Sequence, residues 1–172
     1  QEEYKLVGYF GRINYNYRGK YYLSASIRHE GSSKFGADHK WGTFPAVSIG
    51  WNLKEESFLK NVNFLSFLKL RAGYGITGTI PGNPYLSLNT LDLGGYGYYG
   101  GQWTTLLRAS SNPNPDLRWE KKKETNIGLD FAFFNDRISG SIDWYNRDTD
   151  DLIWDYTVSV PPYVKNTITA NA

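Results

Sequence analysis

Trp41-Gly42-Thr43-Phe44-Pro45-Ala46-Val47-Ser48-Ile49-Gly50-Trp51-Asn52-Leu53 is the stretch that decides the fold. Trp41, Thr43, Pro45, Val47, Ile49, Trp51 and Leu53 share one parity; Gly42, Phe44, Ala46, Ser48, Gly50 and Asn52 share the other. A period of two separates two faces only in an extended strand. One face suits hydrocarbon, the other is mostly small or polar, and tryptophan stands near both ends. A transmembrane β-strand needs about 9–11 residues and carries aromatic girdles at its interfaces. Pro45 lacks a ladder donor, so a bulge or local break is predicted there.

The same alternation recurs on both sides. Tyr21, Leu23, Ala25 and Ile27 oppose Tyr22, Ser24, Ser26 and Arg28. Strands are predicted over about 4–17 (loosely patterned), 21–30, 41–53, 68–78, 117–133 and 138–154. Arg18-Gly19-Lys20 and Asn135-Asp136 read as tight turns, with glycine supplying positive φ in the first. Residues 54–67 lose the alternation and read as a helical turn or packed loop. Residues 79–116, rich in Gly, Tyr, Asn and Pro, read as one long irregular loop, and the tail from Thr157 as another. Connections therefore alternate between shorter and longer. Outer-membrane barrels put short turns in the periplasm and long loops outside. That parity sets Tyr15, Tyr17, Tyr21, Trp51, Phe131 and Phe133 near the periplasmic interface, with Trp41 and Tyr74 toward the outer one.

Composition agrees with an all-β chain. The 29 aromatic residues and 18 glycines among 172 favour strands and turns over helices. A net charge of +2 gives no electrostatic reason for a nucleic-acid partner. Without cysteine, neither disulfides nor thiolate metal sites are available. No run of 18 apolar residues exists, which excludes a transmembrane helix and leaves a barrel open. The chain starts at Gln1 without methionine or signal peptide and reads as an internal or processed piece. Closed barrels have eight strands or more, so six are expected to be a part.

Arg28, Glu30, Arg71, Glu124 and Asp130 fall on the predicted lumen face. They either line a substrate path or plug contact, or pair across strands and keep the lumen wet. Tyr96, Tyr98, Tyr99 and Trp103 sit in the long loop, where aromatic faces contact a substrate or lid, or pack over the rim. Asp148, Asp150 and Asp151 crowd together, yet they lack the glycine and distal glutamate of a calcium loop. His29 and His39 lack zinc spacing. No GxSxG elbow, P-loop or cysteine nucleophile is present, and the chain is read as neither an enzyme nor a cofactor protein.

Several motifs recur together in one family: Gly31-Ser32-Ser33-Lys34-Phe35-Gly36, Trp41-Gly42-Thr43-Phe44-Pro45-Ala46, Leu68-Lys69-Leu70-Arg71-Ala72-Gly73-Tyr74-Gly75 and Asn114-Pro115-Asp116-Leu117-Arg118-Trp119-Glu120. Thr125-Asn126-Ile127-Gly128-Leu129-Asp130 and Arg137-Ile138-Ser139-Gly140-Ser141 follow in the same order. Across nearly the whole chain they resemble the barrel of SusC/RagA-type TonB-linked outer-membrane transporters of Bacteroidetes. The resemblance implies an antiparallel transmembrane β-barrel segment, part of a wall of about 22 strands closed by a plug not in this chain. It implies import of bulky oligosaccharides or oligopeptides, energy delivered by a TonB complex through the plug, and a SusD-like surface lipoprotein over the mouth.

Two rival classes share the pattern. A soluble secreted β-sandwich that binds carbohydrate would bury the same apolar faces between two sheets. A glycoside hydrolase fragment would need two carboxylates at catalytic separation. The alternation of short and long connections favours the barrel.

Overall fold

The structure is a computed structural model and describes residues 3–172. Its strands are β1 (Leu6–Tyr17), β2 (Tyr21–Ser32), β3 (Trp41–Asn52), β4 (Leu65–Thr79), β5 (Leu91–Tyr99), β6 (Gln102–Ala109), β7 (Glu120–Phe133), β8 (Ile138–Asp150), β9 (Ile153–Thr157) and β10 (Thr167–Asn171). Six form one antiparallel sheet in the order β1-β2-β3-β4-β7-β8. The hairpins β5–β6 and β9–β10 stand apart from it.

The ladder keeps the two parities apart. One rung runs Tyr15, Leu23, Ile49, Ala72, Ile127 and Trp144, and the next runs Asn14, Ser24, Ser48, Gly73, Asn126 and Tyr145. Among the described residues no second sheet covers the apolar side: Ile13 is 73% exposed and Ile142 64%. A β-sandwich would bury these residues, so that reading fails. The connections after β1, β3 and β7 share one end of the sheet, and those after β2 and β4 share the other. Arg18 and Gly19 both have positive φ in the first turn. Residues 53–64 form a short 3₁₀ turn and a one-turn helix, Ser57–Lys60, closed by Lys54 Nζ donating to the carbonyls of Leu59, Lys60 and Val62.

The expected long loop contains a hairpin. Its two-residue turn is Gly100-Gly101, both at positive φ as such turns require. A register shift between Leu93 and Gly95 breaks the phase of β5, which hides its alternation from a strict period-two reading. The tail likewise holds β9–β10 instead of irregular chain. The last sheet strand ends at Asp150 and not at 154, and β4 starts three residues earlier than 68, at Leu65, beyond a register shift opposite Ala132 and Phe133. Residues 117–119 leave the predicted fifth strand, and Leu117 and Trp119 enter the core.

Pro45 makes no bulge against β2, where it pairs with Ile27 in continuous register. The break lies on its other flank, because the β3–β4 ladder begins only at Ala46–Gly75. Phe44 fills the gap above. A methyl group on Gly42 or Gly78 would run into its ring.

Phe44 is part of the one buried hydrophobic cluster among the described residues, with Phe35, Leu117 and Trp119. Leu117 is 0% exposed and Phe35 1%. The Trp119 ring lies 4.9 Å from that of Phe35 and 5.2 Å from that of Phe44, and its Nε1 donates to the Lys40 carbonyl at 3.0 Å. Buried Lys34 donates to the carbonyls of Pro81 (2.9 Å) and Gly82 (2.7 Å), with its ammonium 4.3 Å from the Tyr4 ring. Gly36 meets the Pro115 carbonyl so closely that any side chain there is excluded. Asn112 donates to the carbonyls of Lys165 and Thr167 and accepts from the amides of Val164 and Lys165. Loops from three connections are thus tied into one knot at the long-loop end.

Leu117→Ala should cost about 2–5 kcal/mol of local stability by leaving a cavity in this cluster. Limited proteolysis of the full-length protein in intact cells should then cut within residues 31–40 or 110–119 while the sheet strands stay protected.

Candidate functional site: the polar face and its loop-end rim

On the polar face most charged side chains pair within the wall, while Arg12 and Lys69 lie over the rings of Phe10 and Tyr22. Arg71 reaches from β4 across β7: its Nε and Nη2 donate to the two Asp130 oxygens at 2.7 and 2.9 Å, and Nη2 also meets Asp143 on β8 at 3.0 Å. Gly128 stands opposite both Arg71 and Asp143, and a Cβ there would lie 2.8 Å from Arg71 Nη2. Glycine therefore opens the corridor through which the guanidinium crosses a strand. Arg147 donates to Glu124 at 2.9 and 2.5 Å, and Arg28 pairs with Glu30. Between these pairs lies a shallow basin floored by Ser48, Gly50 and Gly73 and rimmed by Asn14, Lys69 and Asn126.

All five residues expected on the lumen side, Arg28, Glu30, Arg71, Glu124 and Asp130, share this face. Asp143 and Arg147 on β8 complete the network. The parity of Ser139 and Ser141 on β8 already pointed to them.

The loop aromatics fall on the β5–β6 hairpin, outside the knot. Tyr96, Tyr98 and Trp103 lie on its one face with Leu93 and Leu107, and Tyr99 lies at the tip on the other. All are exposed, Tyr99 to 84%, and only Tyr98 and Trp103 touch, edge to face at 5.5 Å. They form a projecting arm and do not pack over the rim.

The aspartates diverge. Asp148 accepts from Asn146, Asp150 pairs with Lys123, and Asp151 pairs with Arg118. Among the described residues no three His, Asp or Glu side chains converge as a metal cage would require.

Aromatics line the apolar face at the short-turn end: Tyr17, Tyr21 and Trp51 stack at 6.5 and 6.2 Å, and Phe131 and Phe133 meet at 5.4 Å. Tyr15 follows two rungs inward on the same face. At the other end Trp41 stacks on Tyr9 and His29. Tyr74 lies opposite Val47 and Thr125, in the interior of β4 instead of at its end. Glu56, in the turn after β3, accepts from the Tyr21 hydroxyl (2.7 Å), Trp51 Nε1 (3.1 Å) and Lys20 (3.3 Å). Those bonds, that of Tyr21 foremost, hold its carboxyl below the ordinary carboxylate range.

A sheet with a bare apolar face and a polar face whose charges are mostly paired within it has the layout of a membrane-barrel wall. The family model for TonB-dependent receptor-like β-barrels matches residues 1–172. The chain belongs to that family, in its SusC/RagA-type branch. The TonB-dependent receptor SusC of Bacteroides thetaiotaomicron is 47% identical over 154 residues, covering 86% of this chain and 15% of its own. A TonB-dependent receptor of Formosa agariphila is 39% identical over 156 residues, covering 91% and 14%. A solved structure of the RagAB peptide transporter superposes with a TM-score of 0.85 at 30% identity, covering 98% of this chain and 18% of that one. The segment spans about 15% of the length of the curated relatives it matches and is an outer-membrane barrel segment. Those relatives are named as receptors and transporters, not as enzymes.

Gly128→Val in the TonB-dependent receptor should separate Arg71 from Asp143 and cost on the order of 1 kcal/mol, since the pair is partly solvated. Asp143→Asn should cost no more, and denaturant unfolding of the detergent-solubilised barrel compares the two. For Glu56, a carboxyl held low contributes stability above its ordinary value of 4.5 and loses it as pH falls through the lower folded value. Thermal unfolding midpoints of the parent and Glu56→Gln should differ near neutrality and converge in acid.

Proposed function

We propose that this segment forms part of the wall of an importer that takes up bulky nutrients, oligosaccharides or oligopeptides, with a SusD-like surface lipoprotein at its mouth. The observation that carries the reading is the contrast between the sheet's two faces. The apolar face is solvated by lipid, and the polar face turns to a wet lumen. Arg28–Glu30, Arg71–Asp130–Asp143 and Glu124–Arg147 are satisfied pairs there, so they hold the wall's shape and polarity without binding a charged solute tightly. Energy reaches the protein from a TonB complex through the plug, and neither cofactor, metal nor nucleic acid has a role. The relationship to SusC and to the RagAB peptide transporter supports import as the activity.

The β5–β6 arm supplies the contact chemistry. Tyr96, Tyr98, Tyr99 and Trp103 offer ring faces and edges at the mouth, suited to sugar rings, peptide side chains or the underside of a lid. Aromatic anchors of this kind carry a large share of binding energy.

The test is uptake of labelled oligosaccharide and oligopeptide mixtures by cells that make the full-length receptor as their only importer of this class. Uptake should vanish without TonB and persist with it. Replacing Tyr98 and Trp103 together by alanine should reduce uptake about tenfold or more while barrel assembly in the membrane is unchanged. Uptake that is independent of TonB would contradict the importer reading.

A further inference from the structure

On the apolar face, at the short-turn end, a groove of about 420 Å³ crosses β1 to β4. One side of it is the rung Tyr15, Leu23, Ile49 and Ala72, where Ala72 is the small residue between Ile49 and Ile127. Its wall is Tyr21 and Trp51. Rings at a lipid surface are ordinarily free to change rotamer, but here Glu56 holds both by their polar tips, through the Tyr21 hydroxyl and Trp51 Nε1. The wall of the groove is therefore fixed before anything enters it. Beyond the wall, in the tight turn after β1, the Arg18 guanidinium lies 5.0 Å from the Tyr17 ring. Among the described residues no carboxylate pairs with it, whereas neighbouring Lys20 is engaged by Glu56.

We propose that this groove is a specific seat for one glycerophospholipid of the periplasmic leaflet. An acyl chain lies over Ala72 against the clamped rings of Tyr21 and Trp51, and the phosphate accepts hydrogen bonds from Arg18. The parts match the ligand in order and polarity. An almost wholly apolar groove ends at an amphipathic aromatic wall, and a donor-rich cation follows at the headgroup level. Guanidinium suits phosphate through its planar fork of donors. The inference uses the segment's place in the outer membrane and does not depend on what the receptor imports.

The experiment is native mass spectrometry of the detergent-purified full-length receptor titrated with phosphatidylglycerol. Three variants are compared with the parent: Ala72→Phe, which fills the groove; Arg18→Glu, which removes the phosphate partner; and Ile142→Ala, on the same apolar face but outside the groove. The tightest lipid adduct of the parent should weaken about tenfold in each of the first two, the equivalent of losing contact with roughly two methylenes or one charge-assisted bond. It should be unchanged in Ile142→Ala. Weakening in Arg18→Glu alone would mean attraction of the headgroup to a surface charge and would overturn the seat. So would equal lipid retention by all four proteins. Each variant's heat-resistant migration on a gel confirms that the barrel is folded before its adducts are counted.

Discussion

Within hydrocarbon every backbone N–H and C=O must be met by another backbone group, because no water is there to take its place. The other features of this segment follow from that constraint. It forces the crossing strands β1-β2-β3-β4-β7-β8 into one antiparallel ladder, and it leaves β1 and β8 with one paired flank each among the described residues. Those flanks call for neighbouring strands, in keeping with a segment that covers about 15% of its curated relatives. It also confines irregular backbone to the ends. The interruption at Pro45 is tolerated where the β3–β4 ladder gives way to the knot, and Phe44 occupies the gap.

The knot solves a second problem. A barrel wall one sheet thick has no core of its own, so nothing in the strands fixes the loops above it. Here Phe35, Phe44, Leu117 and Trp119 make a small core at the long-loop end of the sheet. Lys34, Asn112, Asn114 and Asn171 add bonds to the backbone of neighbouring loops. The β5–β6 arm is left outside these bonds and is joined at its base through Thr90 and Ser110. The mouth thus has a fixed collar and a projecting aromatic arm. At the opposite end, Glu56 and Lys54 stiffen the only connection there that is longer than a tight turn.

Much of the wall was legible in the sequence because period-two patterning and lipid solvation select the same residues. The strands over 21–30 and 41–53, the turn at Arg18-Gly19-Lys20 and the shared face of Arg28, Glu30, Arg71, Glu124 and Asp130 follow from parity alone. What parity could not show was anything that depends on a phase break or on contact between distant loops. The β5–β6 hairpin was hidden by its register shift near Gly94. The run from Asn114 to Glu120 read as the end of a loop and the start of a strand, although Leu117 and Trp119 are the centre of the core. The aromatics at 96–103 were expected in that loop, but only the hairpin register separates Tyr99 from the face of Tyr96, Tyr98 and Trp103. Glu56 lies in the stretch 54–67 that shows no alternation, and its partners Tyr21 and Trp51 lie on two strands, where no pattern ties them to it.

The central claim is that successive residues of one strand face lipid and water by turns. It is tested most directly by nitroxide labels on single cysteines at Val47, Ser48, Ile49 and Gly50 of the full-length receptor in a bilayer, this segment having no cysteine of its own. Labels at Val47 and Ile49 should be relaxed by oxygen, which partitions into lipid, and those at Ser48 and Gly50 by a water-soluble nickel chelate. Equal access of the chelate to all four positions would contradict the account.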